Sequence, residues 1–356
     1  MKLLYTKFKI FQFQEKIDSL PKDIDHILPP IHIRIKPTNA CAHNCWYCSY
    51  RLDGMQLGKD MDAKDLIPKD KIFEIIDDII EMKVKAVTFS GGGDPFYYPY
   101  FLDTVRKLAL SPVQFAALHN GAMLRGELAE IFAHRATWLR ISIDGWDNKS
   151  YSEYRGIAEG EFDKVVKNME NFNKLGGKCF LGTSFIIDKK NAAHVFSFIK
   201  RMKDIGVQSV KVSACIVDDD VQINNKYHQD ISEDVKHQIN KAMDALADGS
   251  FEVYDAYHEL DERFKKDYTW CPYLQINPVI GADLNIYPCH DKAYNLGNGV
   301  IGSCKNQRFK DYWFSDKNNF FMTNPSIHCN HHCMANRTNK MLFEYLDTDK
   351  THGAFV

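Results

Sequence analysis

Short β-branched runs alternate with longer amphipathic stretches over most of the chain between residues 31 and 246. The β-branched runs predict strands at 31–36, 86–89, 114–118, 138–143, 179–187 and 209–214. Apolar residues at a spacing of about 3.6, with acidic residues on the other face, predict a helix over 70–82. Similar patterns predict helices at 100–109, 126–133, 162–175, 192–205 and 231–246. This alternation predicts repeated β-α units around a parallel sheet or barrel.

Three cysteines follow the first predicted strand in the run Cys41-Ala-His-Asn-Cys45-Trp-Tyr-Cys48. Bacterial ferredoxins use a shorter first gap and add a fourth thiolate, because an electron carrier protects all four irons. Three thiolates can hold a cubane cluster and leave one iron open to a substrate or cofactor. A zinc knuckle and a set of unrelated buried thiols are the alternatives.

This spacing, with the aromatic Tyr47 before the last cysteine, resembles the signature of the radical S-adenosylmethionine (radical SAM) superfamily. The resemblance implies a 4Fe-4S cluster on Cys41, Cys45 and Cys48 whose open iron chelates S-adenosylmethionine. One electron then cleaves the sulfonium, and a 5'-deoxyadenosyl radical abstracts hydrogen from the substrate. Tyr47 becomes a candidate cofactor contact.

The fold class implied is α/β, a partial (β/α)6 TIM-type barrel followed by a small cysteine-rich α+β domain. Six predicted β-α units are two short of a full eight-stranded barrel, which agrees with an open, partial one. We expect an N-terminal extension over 1–30, the barrel over 31–255 and the auxiliary domain over 256–356.

A glycine run, Ser90-Gly91-Gly92-Gly93-Asp94-Pro95, ends the second predicted strand. It lacks the features of a P-loop or a dinucleotide-binding motif, so a tight turn is the alternative. Its position resembles the Gly-Gly-Glu-Pro motif of the radical SAM family, whose backbone receives the amino group of S-adenosylmethionine. Gly91, Gly92, Gly93 and Asp94 are therefore candidate cofactor contacts, although Asp94 stands where the family has glutamate.

Other candidate cofactor contacts lie at the ends of later strands. In the family, residues there hold the ribose and the methionine carboxylate, which implies roles for Ser142, Asp144 and Ser184. His119 and Asn120 follow the third strand and join this set. The run from Ser142 to Tyr154-Arg-Gly156 also resembles the family. Alternatively, these residues have no role in cofactor binding: the aspartate forms a turn, and the serine hydroxyls are hydrogen-bonded within the strands.

A second group of cysteines lies near the C-terminus, where it resembles the SPASM and twitch extensions of radical SAM enzymes. Carried over by motif, Cys271, Cys289, Cys329 and Cys333 would bind one auxiliary 4Fe-4S cluster, as in the twitch type. Tetrahedral zinc is the alternative. Cys304 is expected to be a structural thiol. Four histidines are expected to surround the cluster sulfurs rather than to ligate: His290, His328, His331 and His332.

The composition limits which binding partners and which cellular compartment we expect. The 45 lysines and arginines nearly balance 47 acids, so no strong field attracts nucleic acid or an anionic membrane. Neither a signal peptide nor an apolar run of about 18 residues is present, and we expect a cytoplasmic protein. Ten cysteines there indicate metal ligation rather than disulfides.

We therefore predict an enzyme that removes hydrogen from a small molecule, such as a sugar, amino sugar or nucleotide-linked metabolite, in a net oxidation or rearrangement. The expected partner is a reductant such as flavodoxin or ferredoxin. Lys211, on the sixth predicted strand, is a candidate base for an oxidised alcohol. A peptide-modifying enzyme is the alternative. Peptide-maturing relatives often carry an added leader-binding module before the cysteine motif, and only 40 residues precede Cys41 here, so we expect the small molecule. A non-enzymatic iron-sulfur or zinc protein is the third reading.

Overall fold

One ten-stranded sheet organises the computed structural model, which describes residues 4–349 and 351–352. In chain order the strands are β1 (His32–Ile35), β2 (Ala86–Phe89), β3 (Gln114–His119), β4 (Trp138–Ser142), β5 (Phe180–Ile187), β6 (Ser209–Ala214), β7 (Glu252–Asp255), β8 (Val279–Ile280), β9 (Asn285–Tyr287) and β10 (Gly302–Ser303). Strands β1 to β7 lie side by side in sequence order, and every neighbouring pair is parallel. This is the predicted α/β class, an open barrel of parallel strands.

The six predicted strands correspond to β1–β6 and differ from them by a residue or two at the ends. The pattern does not predict β7, because its four residues include two acids, Glu252 and Asp255. It also does not predict β8, β9 and β10. Strand β8 pairs in parallel with the outer edge of β1, and β9 and β10 follow as antiparallel strands.

Helices cover the outside of the strands. They are α1 (Gln14–Asp18), α2 (Lys69–Glu81), α3 (Phe101–Ala109), α4 (Gly126–Arg135), α5 (Asn148–Arg155), α6 (Glu161–Lys174), α7 (Val195–Ile205), α8 (Val221–His228), α9 (Ser232–Leu246), α10 (Phe309–Ser315), α11 (Pro325–His328) and α12 (Asn336–Leu346). The six predicted helices are α2, α3, α4, α6, α7 and α9. In the described part of the chain, none is long and apolar enough to cross a membrane.

Two unpredicted helices begin at side-chain caps. Asp147 and Ser150 form a capping box at the start of α5, and Asp220 accepts from the backbone of Gln222 at the start of α8. Both helices carry few apolar residues, so their periodicity is weak. Instead, the oxygen of a short polar side chain accepts a hydrogen bond from a backbone N–H of the first turn that has no partner within the helix.

The two faces of the barrel strands differ in character. Side chains that point outward, such as Ile35, Ile141 and Val212, are fully buried against the helices. Those that alternate with them on β1, β4 and β6 are mostly polar and, apart from the fully buried Ser209, only partly buried. Because strand side chains alternate between faces, these polar positions line the barrel lumen.

Residues before β1 and after β7 pack on the barrel. Ile10, Ile17 and Leu20 form a small core with Ile276 and Leu342. At the other end of the same segment, Tyr5 reaches the lumen strands. The N-terminal extension therefore connects the barrel to the C-terminal part. The domain limits given above stay predictions, and residues 1–3, 350 and 353–356 lie outside the described residues.

The C-terminal part also shares the main core of the barrel. Ile280 of β8 pairs with Ile35 of β1 and is fully buried. Cys304 and Trp313, both fully buried, belong to the same hydrophobic cluster as Ile35. Barrel and C-terminal strands are therefore expected to unfold together.

The shared core can be tested with Ile280→Ala. Removing this buried side chain should lower the free energy of unfolding by about 3 kcal/mol, because it leaves a cavity between β1 and β9. Urea unfolding followed by far-UV circular dichroism measures the change. Ile327→Ala is the matched control, since Ile327 is 65% exposed and should change stability by less than about 0.5 kcal/mol. Equal effects of the two substitutions would contradict a shared core.

Candidate functional site

The loop that carries Cys41, Cys45 and Cys48 leaves the carboxyl end of β1. All three thiols are free and partly exposed. The backbone N–H of His43 donates to Cys41 Sγ at 3.4 Å, and Arg155 Nη1 donates to Cys45 Sγ at 3.5 Å. Burial raises the pKa of Cys41 to about 11. Thiolates on this loop therefore need a cationic centre to stabilise them, as metal ligation would.

The glycine run lies directly against the cysteine loop. Gly93 N–H donates to Thr38 O, and Asp94 N–H donates to Ala40 O, each at 3.0 Å. A Cβ on Gly92 would lie 1.9 Å from Asn39 Oδ1, and one on Gly93 would lie 2.0 Å from Ala40 O. These glycines are thus required for close packing of strand end and loop, a physical reason that the sequence analysis did not identify.

Asp94 joins the ends of two strands. Its Oδ1 accepts from Phe96 N–H at 2.9 Å, and its Oδ2 accepts from Asn120 N–H at 2.7 Å. Burial raises the pKa of its carboxyl to about 6, although these two N–H donors oppose the shift. Aspartate at this position therefore holds the end of β3 against the glycine run.

Asn120 and His119 lie beside Asp94 at the same edge. Asn120 Oδ1 accepts from Ala122 N–H at 3.0 Å, but its buried Nδ2 has no partner within the described residues. The His119 ring stacks on Phe96 with centroids 3.7 Å apart, and burial lowers the pKa of His119 to about 3. Buried polar groups are normally hydrogen-bonded, so the unpaired Asn120 donor indicates a ligand position.

A buried network connects the cysteine loop to β4. Asp144 Oδ2 accepts from Tyr47 Oη and from Arg155 Nη2, and its Oδ1 accepts from Ile186 N–H at 2.8 Å. Arg155 Nη2 also donates to Ser142 Oγ at 3.0 Å. Because both carboxylate oxygens of Asp144 are engaged, Asp144 acts on any ligand through Tyr47 and Arg155.

Arg155 is the residue of this site that the sequence analysis missed. It is 4% exposed, touches Cys45, Ser142 and Asp144, and its Nε has no partner within the described part of the chain. Its backbone O accepts from Asn44 N–H at 2.8 Å, so the end of α5 packs on the cysteine loop. The Tyr154-Arg-Gly156 run carried the signal, but only the fold brings it to the cysteines.

Ser184 and Lys211 continue the row of lumen residues that begins at Ser142. The register pairs Ser142 with Ser184 and Ser184 with Lys211. Burial and, to a smaller extent, the nearby charges of Arg140 and Arg263 lower the pKa of Lys211 to about 7. A lysine with this pKa can act as a base near neutral pH.

The four C-terminal cysteines line one cavity together with Lys266 and Lys292. The cysteines are Cys271, Cys289, Cys329 and Cys333. Asn339 Nδ2 donates to Cys271 Sγ at 3.2 Å, and burial raises the pKa of Cys271 to about 11. The positive charges of Lys292 and Lys266 partly offset the effect of burial at Cys329. The structure thus brings all four predicted ligands together.

A single ion and a cluster would require different spacings of these side chains. Among the described residues, no three His, Cys, Asp or Glu side chains converge closely enough to hold a single metal ion. Tetrahedral zinc with four thiolates would need sulfurs about 3.8 Å apart, from Zn–S bonds of about 2.3 Å. A cubane attaches each thiolate to a different iron, so it spaces the sulfurs more widely.

Cys304 and the histidines lie around these sites. Cys304 is fully buried in the main core and does not line the cavity. His290 Nδ1 is 3.2 Å from both Lys36 Nζ and Arg34 Nη1, so it faces the barrel. His331 lines the cavity, its Nδ1 2.6 Å from His332 O. His328 Nδ1 accepts from Asn324 N–H at 3.1 Å.

One family model matches the barrel part of the chain. Residues 35–202, slightly less than half of the chain, match the Radical SAM superfamily. The chain is 25% identical over 175 residues to the GTP 3',8-cyclase of Synechococcus elongatus, covering 49% of this chain and 51% of the relative. It therefore spans about half the length of that relative. It is 22% identical over 307 residues to the tungsten-containing aldehyde ferredoxin oxidoreductase cofactor-modifying protein of Pyrococcus furiosus, covering 82% of each.

Solved structures share the fold over most of the chain. SuiB of Streptococcus suis, bound to the precursor peptide SuiA, superposes with a TM-score of 0.61 at 16% identity, covering 89% of this chain and 72% of SuiB. Native anSMEcpe with bound AdoMet and the Kp18Cys peptide superposes with a TM-score of 0.62 at 15% identity, covering 90% of this chain and 97% of that one. At these identities the likeness establishes the partial-barrel fold.

The network around Arg155 can be tested with Arg155→Met. Loss of the guanidinium leaves Asp144 buried without its cation, so the free energy of unfolding should fall by about 3 kcal/mol. Urea unfolding of the iron-reconstituted protein measures the loss. Arg106→Met is the matched control, because Arg106 makes ion pairs at an exposed site, where such pairs contribute about 1 kcal/mol or less. A loss at Arg155 no larger than that at Arg106 would contradict the structural role of this network.

Proposed function

We propose that this chain is a radical SAM enzyme that abstracts hydrogen from a small-molecule substrate in the barrel lumen. One observation carries the proposal. The cysteine loop, the glycine run and Asn120 meet at the carboxyl edge of a parallel barrel, within the residues that match the Radical SAM superfamily. Barrel enzymes place their chemistry at this edge.

The residues present fit a cluster with S-adenosylmethionine. Cys41, Cys45 and Cys48 would ligate three irons, and the donors from His43 and Arg155 would stabilise the thiolate sulfurs. The two unpaired buried donors, Asn120 Nδ2 and Arg155 Nε, are available to the cofactor. When bound, the pair supplies a 5'-deoxyadenosyl radical able to remove hydrogen from an unactivated C–H bond.

The chain's part is to orient the cofactor and to keep the site dry. Ser142 and Arg155 present a hydroxyl and a cation on the same side, as recognition of the methionine carboxylate requires. Gly91, Gly92 and Gly93 hold the cysteine loop close to β2 and leave room for the amino group. Ser184 is the candidate for the ribose.

Asp144 and Tyr47 have a supporting role in this proposal. Asp144 anchors both Tyr47 and Arg155, so it fixes their orientation rather than contacting the cofactor itself. Lys211 is the proposed base. It would accept a proton from a substrate hydroxyl if that alcohol is oxidised.

We also propose an auxiliary 4Fe-4S cluster on Cys271, Cys289, Cys329 and Cys333. The four thiols share one cavity with Lys266 and Lys292, whose charges suit a site of several thiolates. Such a cluster could accept the second electron of a net oxidation. It would also stabilise the C-terminal part, because ligation couples to folding. Flavodoxin or ferredoxin would supply the first electron.

Peptide modification is the second candidate. The fold resembles SuiB bound to its precursor peptide and anSMEcpe bound to a peptide over about nine-tenths of this chain. At 15–16% identity this likeness concerns the fold. The sequence relatives named above, a GTP cyclase and a cofactor-modifying protein, favour the small molecule.

The first cluster is tested by replacing Cys41, Cys45 and Cys48 with alanine. Without these thiolates no iron is left to bind S-adenosylmethionine, so formation of 5'-deoxyadenosine under dithionite should disappear. Chromatography of anaerobic reactions measures it. Cys179→Ala is the matched control, because Cys179 is a buried thiol of the main core. Continued 5'-deoxyadenosine formation by the triple variant would contradict the proposal that Cys41, Cys45 and Cys48 hold the cluster that binds S-adenosylmethionine.

The second cluster is tested by iron content. Anaerobic reconstitution should give about eight irons per wild-type chain, four for each cubane. Replacing Cys289 and Cys333 with alanine should reduce this to about four. Cys304→Ala should keep about eight, because Cys304 lies outside the cavity. A wild-type value near four, or stoichiometric zinc after anaerobic purification, would exclude the auxiliary cluster.

A further inference from the structure

The barrel lumen of this chain is polar, whereas the lumen of a closed barrel is normally filled by apolar layers. Serines occur at Ser142, Ser184, Ser209 and Ser213, and Ser209 occupies the space beside Gly182. Several of these positions are only partly buried. A lumen of this kind is built to hold a polar ligand.

Four cations line this lumen without a carboxylate partner. Arg34 and Lys36 lie on β1 and just beyond it, Arg140 on β4 and Lys211 on β6. None of the four forms an ion pair within the described residues, although sixteen other basic side chains do. Charged side chains this far from bulk water usually have a partner.

The proposed clusters do not account for all of this charge. Lys36 lies in the field of Asp291, Cys289 and Cys48, and Asp291 also interacts with Arg34, so the cations on β1 are balanced in part by these groups. The main charges acting on Lys211 are instead Arg140, Arg263 and Lys7, with Glu259 as the one opposing acid. Glu259 is already paired with Arg263. Lys211 and Arg140 therefore have no ion-pair partner among the described residues, and Arg140 lies over the rings of Tyr5 and Trp138.

The N-terminal segment holds Arg140 in place and closes the lumen below it. Tyr5 stacks on Tyr254 of β7 with ring centroids 4.5 Å apart, and Arg140 Nη2 donates to Tyr5 Oη at 3.0 Å. Tyr5 Oη also lies 2.8 Å from Ser209 Oγ. Arg140 Nε remains buried and without a partner in the described part of the chain. The guanidinium is thus fixed with a free donor.

We propose that Lys211 and Arg140 bind an anionic group of the substrate, a phosphoryl or carboxylate group, with Arg34 contributing from β1. The arrangement places a lysine point charge beside a fixed guanidinium, which suits either oxyanion. The inference rests on the proposed function, since it names the chemistry of the substrate for the same lumen. It replaces the role of Lys211 as a base, because an ammonium that holds an anion cannot accept a proton.

Binding of an anion at this site should be coupled to protonation of Lys211. In the free protein Lys211 has a pKa of about 7, because burial and neighbouring cations disfavour its charge. A bound anion favours the charged amine and raises that pKa, so binding above pH 7 must take up a proton. Affinity should therefore fall as the pH rises from 6 to 8. The groups that act on Lys211 are Arg140, Arg263, Lys7, Glu259, His290 and His332.

Isothermal titration calorimetry tests the proposal. The iron-reconstituted protein is titrated in the presence of S-adenosylmethionine. Inorganic pyrophosphate and citrate serve as the phosphoryl and carboxylate probes. At least one should bind saturably, and Lys211→Met and Arg140→Gln should each weaken it by about tenfold or more, as loss of a charge-assisted hydrogen bond does. Lys174→Met is the matched control, because Lys174 is exposed at the end of α6. It should leave the affinity unchanged.

Proton uptake gives a second measurement. Titration at pH 8 in two buffers of different ionisation enthalpy should reveal uptake by wild-type protein and none by Lys211→Met. Lys211→Arg should retain binding and lose the uptake, which separates the charge from the fold of the variant. The stronger probe identifies the oxyanion.

Two results would overturn the inference. One is the absence of saturable binding of either probe up to about 10 mM. The other is equal affinity for wild type, Lys211→Met and Arg140→Gln. Both are distinguishable from failure of the proposed function, because 5'-deoxyadenosine formation is measured without these probes.

Discussion

The close contact between the glycine run and the start of the cysteine loop is the constraint on which the candidate site depends. Two backbone hydrogen bonds, from Gly93 to Thr38 and from Asp94 to Ala40, join the end of β2 to the residues just before Cys41. No side chain can occupy Gly92 or Gly93 at this distance. The cysteines are therefore positioned by backbone against backbone, the least deformable contact available to a loop.

Around that contact, buried polar groups extend the connection from strand to strand. Asp94 joins β2 to the end of β3, and Asp144 joins β4 to β5, Tyr47 and Arg155. Each carboxylate has both oxygens engaged, which compensates for the cost of burying it. The cysteine loop is consequently held by β2, by β4 and by the end of α5. Groups preorganised in this way need no rearrangement when a ligand binds.

The lumen differs from this network, because some of its polar groups have no hydrogen-bond partner within the described part of the protein. Arg140 and Lys211 are partly buried and form no ion pair within the described residues, whereas the buried Arg155 is paired with Asp144. Arg155 maintains the architecture of the site, whereas Arg140 and Lys211 belong to the proposed anion site. The C-terminal strands matter here as well, because β8 extends the sheet at β1 and brings the second cysteine group to the barrel.

The sequence alone determined the parallel barrel strands, their main helices and the two cysteine groups. Strand and helix periodicities are local, and cysteine spacing is local to one loop. Strand β7 and helices α5 and α8 escaped prediction because their residues are largely polar and their stability comes from pairing or capping.

Only the tertiary structure decided that Arg155 touches Cys45, that Asp94 and Asp144 serve as anchors, and that Lys211 and Arg140 share the lumen without an ion pair to any described residue. These properties depend on which distant strands become neighbours and on how much water the fold excludes. The spacing of residues along the chain contains neither the list of neighbouring strands nor the degree of burial. A sequence pattern can therefore identify candidate ligand-binding residues, but it does not show which charged side chains lack an ion-pair partner.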